Sequence, residues 1–113
     1  ETAVGSLSFI QGGRYLVSLG YEQVVKFWDT ETWREARTVQ SDVTGVRRMV
    51  FSPDEQIAAL SMEGKVQLWS VEDWELWAEL PISTKAVNGM AFSSDGQRLA
   101  VGAADGKIRV WEL

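Results

Sequence analysis

Short stretches of this chain alternate apolar and polar residues with a period of two. Val24-Val-Lys-Phe-Trp28, Lys65-Val-Gln-Leu-Trp69 and Lys107-Ile-Arg-Val-Trp111 all show it, and all end on Trp. Side chains of a strand point alternately to its two faces, so this is the signature of a half-buried β-strand. Ahead of each lies a second apolar run: Tyr15-Leu-Val-Ser-Leu, Ile57-Ala-Ala-Leu-Ser and Leu99-Ala-Val-Gly-Ala. Ahead of that lies a first, from Val4 to Phe9, Val46 to Phe51 and Val87 to Phe92. A fourth run spans Arg34 to Val39 and Glu75 to Leu80. The punctuation between runs is turn chemistry. Ser52-Pro-Asp-Glu, Ser93-Ser-Asp-Gly and Ile10-Gln-Gly-Gly supply fixed or positive φ and side-chain bonds to the backbone. Glu63-Gly64 and Asp105-Gly106 are hairpin dipeptides, and Glu22-Gln23 fits that role less well.

The runs repeat at a fixed distance. Trp28, Trp69 and Trp111 are 41 and 42 residues apart, and Phe9, Phe51 and Phe92 are 42 and 41 apart. Glu22, Glu63 and Asp105 each stand six residues before a repeat Trp. From Phe to the next apolar marker the steps are seven to Leu16, six to Ile57 and seven to Leu99. That count predicts a one-residue shortening between the first and second strands of the middle unit. Four short strands in a period near 41 residues match one blade of a β-propeller.

On these residues the chain resembles WD-repeat β-propeller proteins over essentially its whole length. The carriers are Val46-x-x-Met-Val-Phe-Ser-Pro-Asp, Val87-x-x-Met-Ala-Phe-Ser-Ser-Asp-Gly, and Leu99 through Trp111. Trp28-Asp29 is the literal Trp-Asp pair; Trp69-Ser70 and Trp111-Glu112 take its place elsewhere. The resemblance implies an all-β partial propeller over 1–113, with blades at about 3–40, 41–81 and 82–113. The blades are four-stranded and antiparallel, and the last lacks its outer strand. The family often places a Gly-His pair before the first strand, its His bonding Ser/Thr, Trp and the turn Asp. No His exists here, so that polar network is expected to be missing from every unit. Eleven strands make three blades, whereas closed propellers have about 4–8. Closure is therefore expected from more blades on a longer chain, or from a homo-oligomer. Two copies would give six blades, the favoured arrangement.

Composition narrows the chemistry. The chain has 113 residues, 45% of them apolar and 24% charged, as a globular domain does. It has neither Cys nor His. That excludes disulfides, thiol nucleophiles, Cys/His zinc sites, Ser-His-Asp catalysis and His-held haem. No cofactor is expected. A net charge of −5, with no basic run longer than Arg47-Arg48, speaks against nucleic acid and anionic membranes as partners. No apolar stretch nears the roughly 20 residues of a membrane helix. The N-terminus carries no signal-peptide pattern, so a reducing, cytoplasmic setting is the expectation.

Each candidate residue has a structural and a functional reading. Trp28, Trp69 and Trp111 are expected to pack between blades. Trp33 and Trp74 fall in the turn before the fourth strand, where Gly would ease the backbone. Both are expected to lie over the blade edge or stay partly exposed, with packing the main reading and partner contact the alternative, and Trp77 should pack. The acids Asp54, Asp95, Glu22, Glu63 and Asp105 recur at turns, which speaks for turn chemistry over a glycosidase pair. Glu72-Asp73-Trp74-Glu75 lacks calcium-loop spacing and reads as a solvated loop. Gly12-Gly13 and Gly96 do not form phosphate loops. Arg47-Arg48, in the innermost strand, is either a solvated lining or a guanidinium site for an acidic or phosphorylated peptide.

The resemblance implies protein partners, held by the loops Gln40 to Gly45 and Pro81 to Ala86 and the turns at Tyr21-Glu22, Met62-Glu63 and Ala104-Asp105. Tyr21 and Met62 replace small residues there. With Arg47 and Lys85 they are the expected contacts. Three functions compete: a non-catalytic interaction scaffold, a purely structural repeat fragment or engineered arc that only self-assembles, and a carboxylate hydrolase on a propeller.

Overall fold

The computed structural model describes residues 4–20, 24–40, 48–62, 64–82 and 87–113. Among these residues eleven strands form three antiparallel sheets, each a meander in chain order. The first holds β1 (Val4–Ile10), β2 (Tyr15–Gly20), β3 (Val24–Asp29) and β4 (Arg34–Gln40). The second holds β5 (Arg48–Phe51), β6 (Ile57–Met62), β7 (Lys65–Ser70) and β8 (Leu76–Pro81). The third holds β9 (Val87–Phe92), β10 (Arg98–Ala103) and β11 (Ile108–Glu112). Strand β5 lies against both β1 and β9, these three being the innermost strands, and the three sheets form an unclosed arc of propeller blades. Ser6 Oγ donates to the Met49 carbonyl across the β1–β5 approach, at 3.4 Å.

Strand pairing gives the true equivalence of positions. Phe9 faces Leu16, which faces Trp28. Phe51 faces Ala58, which faces Trp69. Phe92 faces Leu99, which faces Trp111. The partner of Phe is thus Ala58 in the middle sheet, not Ile57. The first turn keeps its length in all three units, and the missing residue lies between β6 and β7. There Met62 pairs with Lys65, whereas Gly102 pairs with Ile108 across a longer turn. An apolar residue beside the true position misplaced the deletion: shifting a strand by one exchanges its faces, and β6 is apolar on both.

The core follows from that register. One cluster joins Val17, Leu19, Val25 and Phe27 of the first sheet to Met49, Ala58, Leu60 and Trp69 of the second. Another joins Ala59, Val66 and Leu68 of the second sheet to Val87, Leu99 and Val101 of the third. In each packed pair, the later sheet presents its Phe/Trp face and the earlier sheet its opposite face. The middle sheet is covered on both sides. The outer face of the first sheet leaves Leu7 and Phe9 each 61% exposed, and that of the third leaves Ile108 76% and Val110 58% exposed.

Trp77 does not pack. Leu68 pairs with Ala78 but Trp69 pairs with Leu76, so Trp77 is the extra residue of a β-bulge on an outermost strand. Its side chain is exposed.

Candidate functional site

The recurring acids are occupied by turns. Ser52 Oγ donates to Asp54 Oδ1 at 2.6 Å and accepts the Ile57 N–H at 3.1 Å, while Asp54 Oδ1 also accepts the Gln56 N–H. Ser93, Asp95, Gln97 and Arg98 repeat this arrangement in the third sheet. The serine hydroxyl, then the backbone N–H, holds both carboxyls below the usual aspartate range. Asp105 goes lower, to about 2, because Arg109 donates to it and the Lys107 N–H adds a second bond. A general acid needs the opposite displacement.

Glu55 occupies the left-handed position that Gly96 and Gly13 occupy in the other turns, with φ +61°. It has a reason to be there: its carboxylate accepts the Gln11 N–H of the neighbouring turn at 2.9 Å. Arg37 adds a second tie between the first two sheets. It lies over the Phe27 ring and donates to the Val71 and Glu72 carbonyls at 2.8 and 2.9 Å. Between these ties opens a cleft of about 620 Å³ lined by Ile10, Tyr15, Phe27, Arg37, Glu55 and Val71. Its Arg37, Glu55 and Asp54 side chains are already engaged in hydrogen bonds. Among the described residues no group of three acids gathers as a metal would require.

Trp33 and Trp74 occupy one repeat position with φ +57° and +52°, as expected where Gly would ease the turn. Their surroundings differ. Trp74 is 7% exposed, stacked on Trp69 at 5.7 Å and edge-on to Phe27 at 6.4 Å. It is core, the packing reading of this position, because the preceding sheet supplies Phe27. Trp33 is 60% exposed because no preceding sheet covers it among the described residues.

Of the expected contacts, Tyr21, Arg47 and Lys85 lie outside the described residues, as do Glu22 and Glu63 of the turn acids. Met62 is described, and it is core: 3% exposed in the cluster with Leu60 and Trp69. Its place on β6, covered by the first sheet, gives it a packing role and removes it from the contact set. Arg48 is exposed at the start of β5.

The polar network expected to be missing has local substitutes. The Trp28 indole N–H donates to Ser18 Oγ at 3.1 Å, with Lys26 over its ring. The Trp69 indole donates to Gln67 Oε1 at 3.0 Å, and Gln67 donates onward to Glu79. These rest on residues that differ from unit to unit, so no repeated motif announced them.

The model of the WD domain, G-beta repeat family matches residues 1–29 and 74–112, more than half of the chain. The stretch between, where described, folds as the same kind of sheet. Comparison with curated proteins returns no match.

Proposed function

Because the chain belongs to the WD domain, G-beta repeat family, whose repeats generally serve as protein-interaction scaffolds, we propose that it is a non-catalytic platform for protein surfaces. Its partners are other proteins and further blades. The observation that carries the reading is the pair of uncovered apolar faces at the two ends of the arc, Leu7 and Phe9 at one, Ile108 and Val110 at the other. Contiguous exposed apolar surface marks interaction. Two copies complete a six-blade ring, within the size range of closed propellers. The strands fix the loops, and the loops carry specificity. On this reading Tyr21, Arg47 and Lys85 contact the partner, in a cytoplasmic setting. The turn carboxyls, held low by their hydrogen bonds, favour this over the hydrolase.

Light scattering tests the ring: the mass of two copies is expected, and a clean monomer would refute closure by copies. Replacing Tyr21, Arg47 and Lys85 together by Ser should weaken partner capture without lowering the melting temperature. A sharp fall in melting would make those residues structural.

A further inference from the structure

We propose that the cleft between the first two sheets is a second protein-binding site, one that takes a basic side chain of a partner polypeptide together with an apolar neighbour. The site lies beyond the loop contacts proposed above and rests on the reading of the chain as a platform for protein surfaces.

Every wall of the cleft belongs to an internal junction. The turn after β1 and strand β4 supply one side, and the turns after β5 and β7 supply the other. The walls therefore do not depend on what adjoins either end of the arc. These turns stand at the end of the sheets opposite the β2–β3 connection, which carries Tyr21. The volume of about 620 Å³ falls within the range of ligand sites, about 300–1,000 Å³.

The other internal junction has different residues at the same places. Phe27 pairs with Arg37 and Leu68 with Ala78, so Arg37 and Ala78 share an address. Tyr15 corresponds to Ile57, and Glu55 to Gly96. Gln11 offers its N–H to Glu55, whereas Pro53 has no N–H to offer and lies against Gly96, its Cδ 3.5 Å from the place a Cβ there would take. Ala36 is the bulge residue of β4 as Trp77 is of β8, so a methyl stands where the second junction carries an indole. Sheet packing does not require Tyr15, Arg37 or Glu55, because the second junction packs without their counterparts.

Charge selects the occupant. Asp54, Glu55 and Glu72 line the cleft with Arg37, so three carboxylates against one guanidinium leave two net negative charges. Arg37 spends both Nη atoms on the Val71 and Glu72 carbonyls, which makes it a strut rather than an anion receptor. The carboxylates keep capacity. Glu55 accepts a single N–H across its two oxygens, and a carboxylate has about four acceptor sites. Asp54 is held low, by the Ser52 hydroxyl first, and stays ionised. The Glu72 carboxylate is exposed, and no hydrogen bond or ion pair holds it among the described residues. Beside these groups lies the apolar surface of Ile10, Phe27 and Val71. An aliphatic stem with a cationic head matches both halves, the stem on the apolar surface and the head among the carboxylates. The net charge of −5 draws such a partner in.

Peptide titration followed by amide NMR tests the site. The probe is acetyl-Leu-Lys-Leu-amide, with Gln and Glu at its centre in two control peptides. The Lys probe should shift the amides of Gln11, Gln56 and Val71 and leave those of Arg48 and Lys65, at the far end of the sheets, in place. The Gln peptide should bind about tenfold more weakly, and the Glu peptide not measurably. Glu72→Gln falls on an exposed residue and keeps the fold. It should weaken the Lys probe about fivefold and leave the Gln peptide unchanged, a split that a structural defect would not produce. If the three peptides bind alike, the contact is apolar alone and the proposal is wrong. It is also wrong if the Lys probe does not bind, if it shifts the far-end amides instead, or if Glu72→Gln weakens the Lys and Gln peptides equally. The variant with Tyr21, Arg47 and Lys85 replaced should bind the Lys probe as the wild type does. Failed probe binding with partner capture intact overturns the cleft alone, whereas failure of both overturns the platform reading with it.

Discussion

Trp33 and Trp74 offer a test in which one substitution has two different outcomes. Both sit in the left-handed region, at φ +57° and +52°. A side chain there costs about 1–2 kcal/mol relative to the right-handed basin, and glycine escapes it. Glycine returns about 0.5–1 kcal/mol through its freer unfolded chain, so Gly gains about 0.5–1 kcal/mol on the backbone at either site. The side-chain terms then separate them. Removing a buried Trp costs about 3–5 kcal/mol, and Trp74 is 7% exposed between Trp69 and Phe27. Trp74→Gly should therefore lose about 2–4 kcal/mol. Trp33 is 60% exposed and has little packing to lose, so Trp33→Gly should stay within about 1 kcal/mol of its parent. The measurement is urea unfolding. Equal losses at the two sites would refute the argument that a neighbouring sheet, rather than the turn, gives Trp74 its value.

Other outcomes follow from single groups. Ser61 is 1% exposed and its hydroxyl has no partner among the described residues, so Ser61→Ala should raise stability by about 1 kcal/mol in urea unfolding; a comparable loss would show that the hydroxyl is satisfied. Ser52→Ala strips the Ile57 N–H of its acceptor at a buried site and should cost about 1–2 kcal/mol, more than Ser93→Ala, where water can replace the hydroxyl. Equal costs would mean that burial does not decide. Asp105 is depressed from 3.8 to about 2 in the folded chain, first by Arg109. Its contribution is therefore present above the ordinary aspartate value and is lost as pH falls through about 2. Carboxyl NMR should show a midpoint near 2, which Arg109→Gln raises; a midpoint near 4 would contradict the pairing.

The repeat made the fold legible because strand alternation and turn residues are local properties, and three copies reinforce one another. Trp28, Trp69 and Trp111 alone announced the third strand of every sheet. The site was less legible. The deletion in the middle unit was misplaced because Ile57 and Ala58 are both apolar, and only pairing with Phe51 and Trp69 shows which faces which way. Trp77 looked like a packed strand residue, since a bulge leaves no mark in composition. Met62 looked like a contact because its replacement of a small residue is visible in sequence, while its cover by the first sheet is not.

These cases share a cause. Position in the repeat fixes the face on which a side chain stands, whereas burial depends on whether another sheet is there to meet it. Leu7 and Met49, Val66 and Ile108, Trp33 and Trp74 are pairs with the same address and opposite exposure. Nothing local separates the members of a pair. The exposed members cluster on the two end faces, and each end face offers what the other internally receives. What separates an end face from an internal one is the presence of the next sheet, not a different kind of side chain.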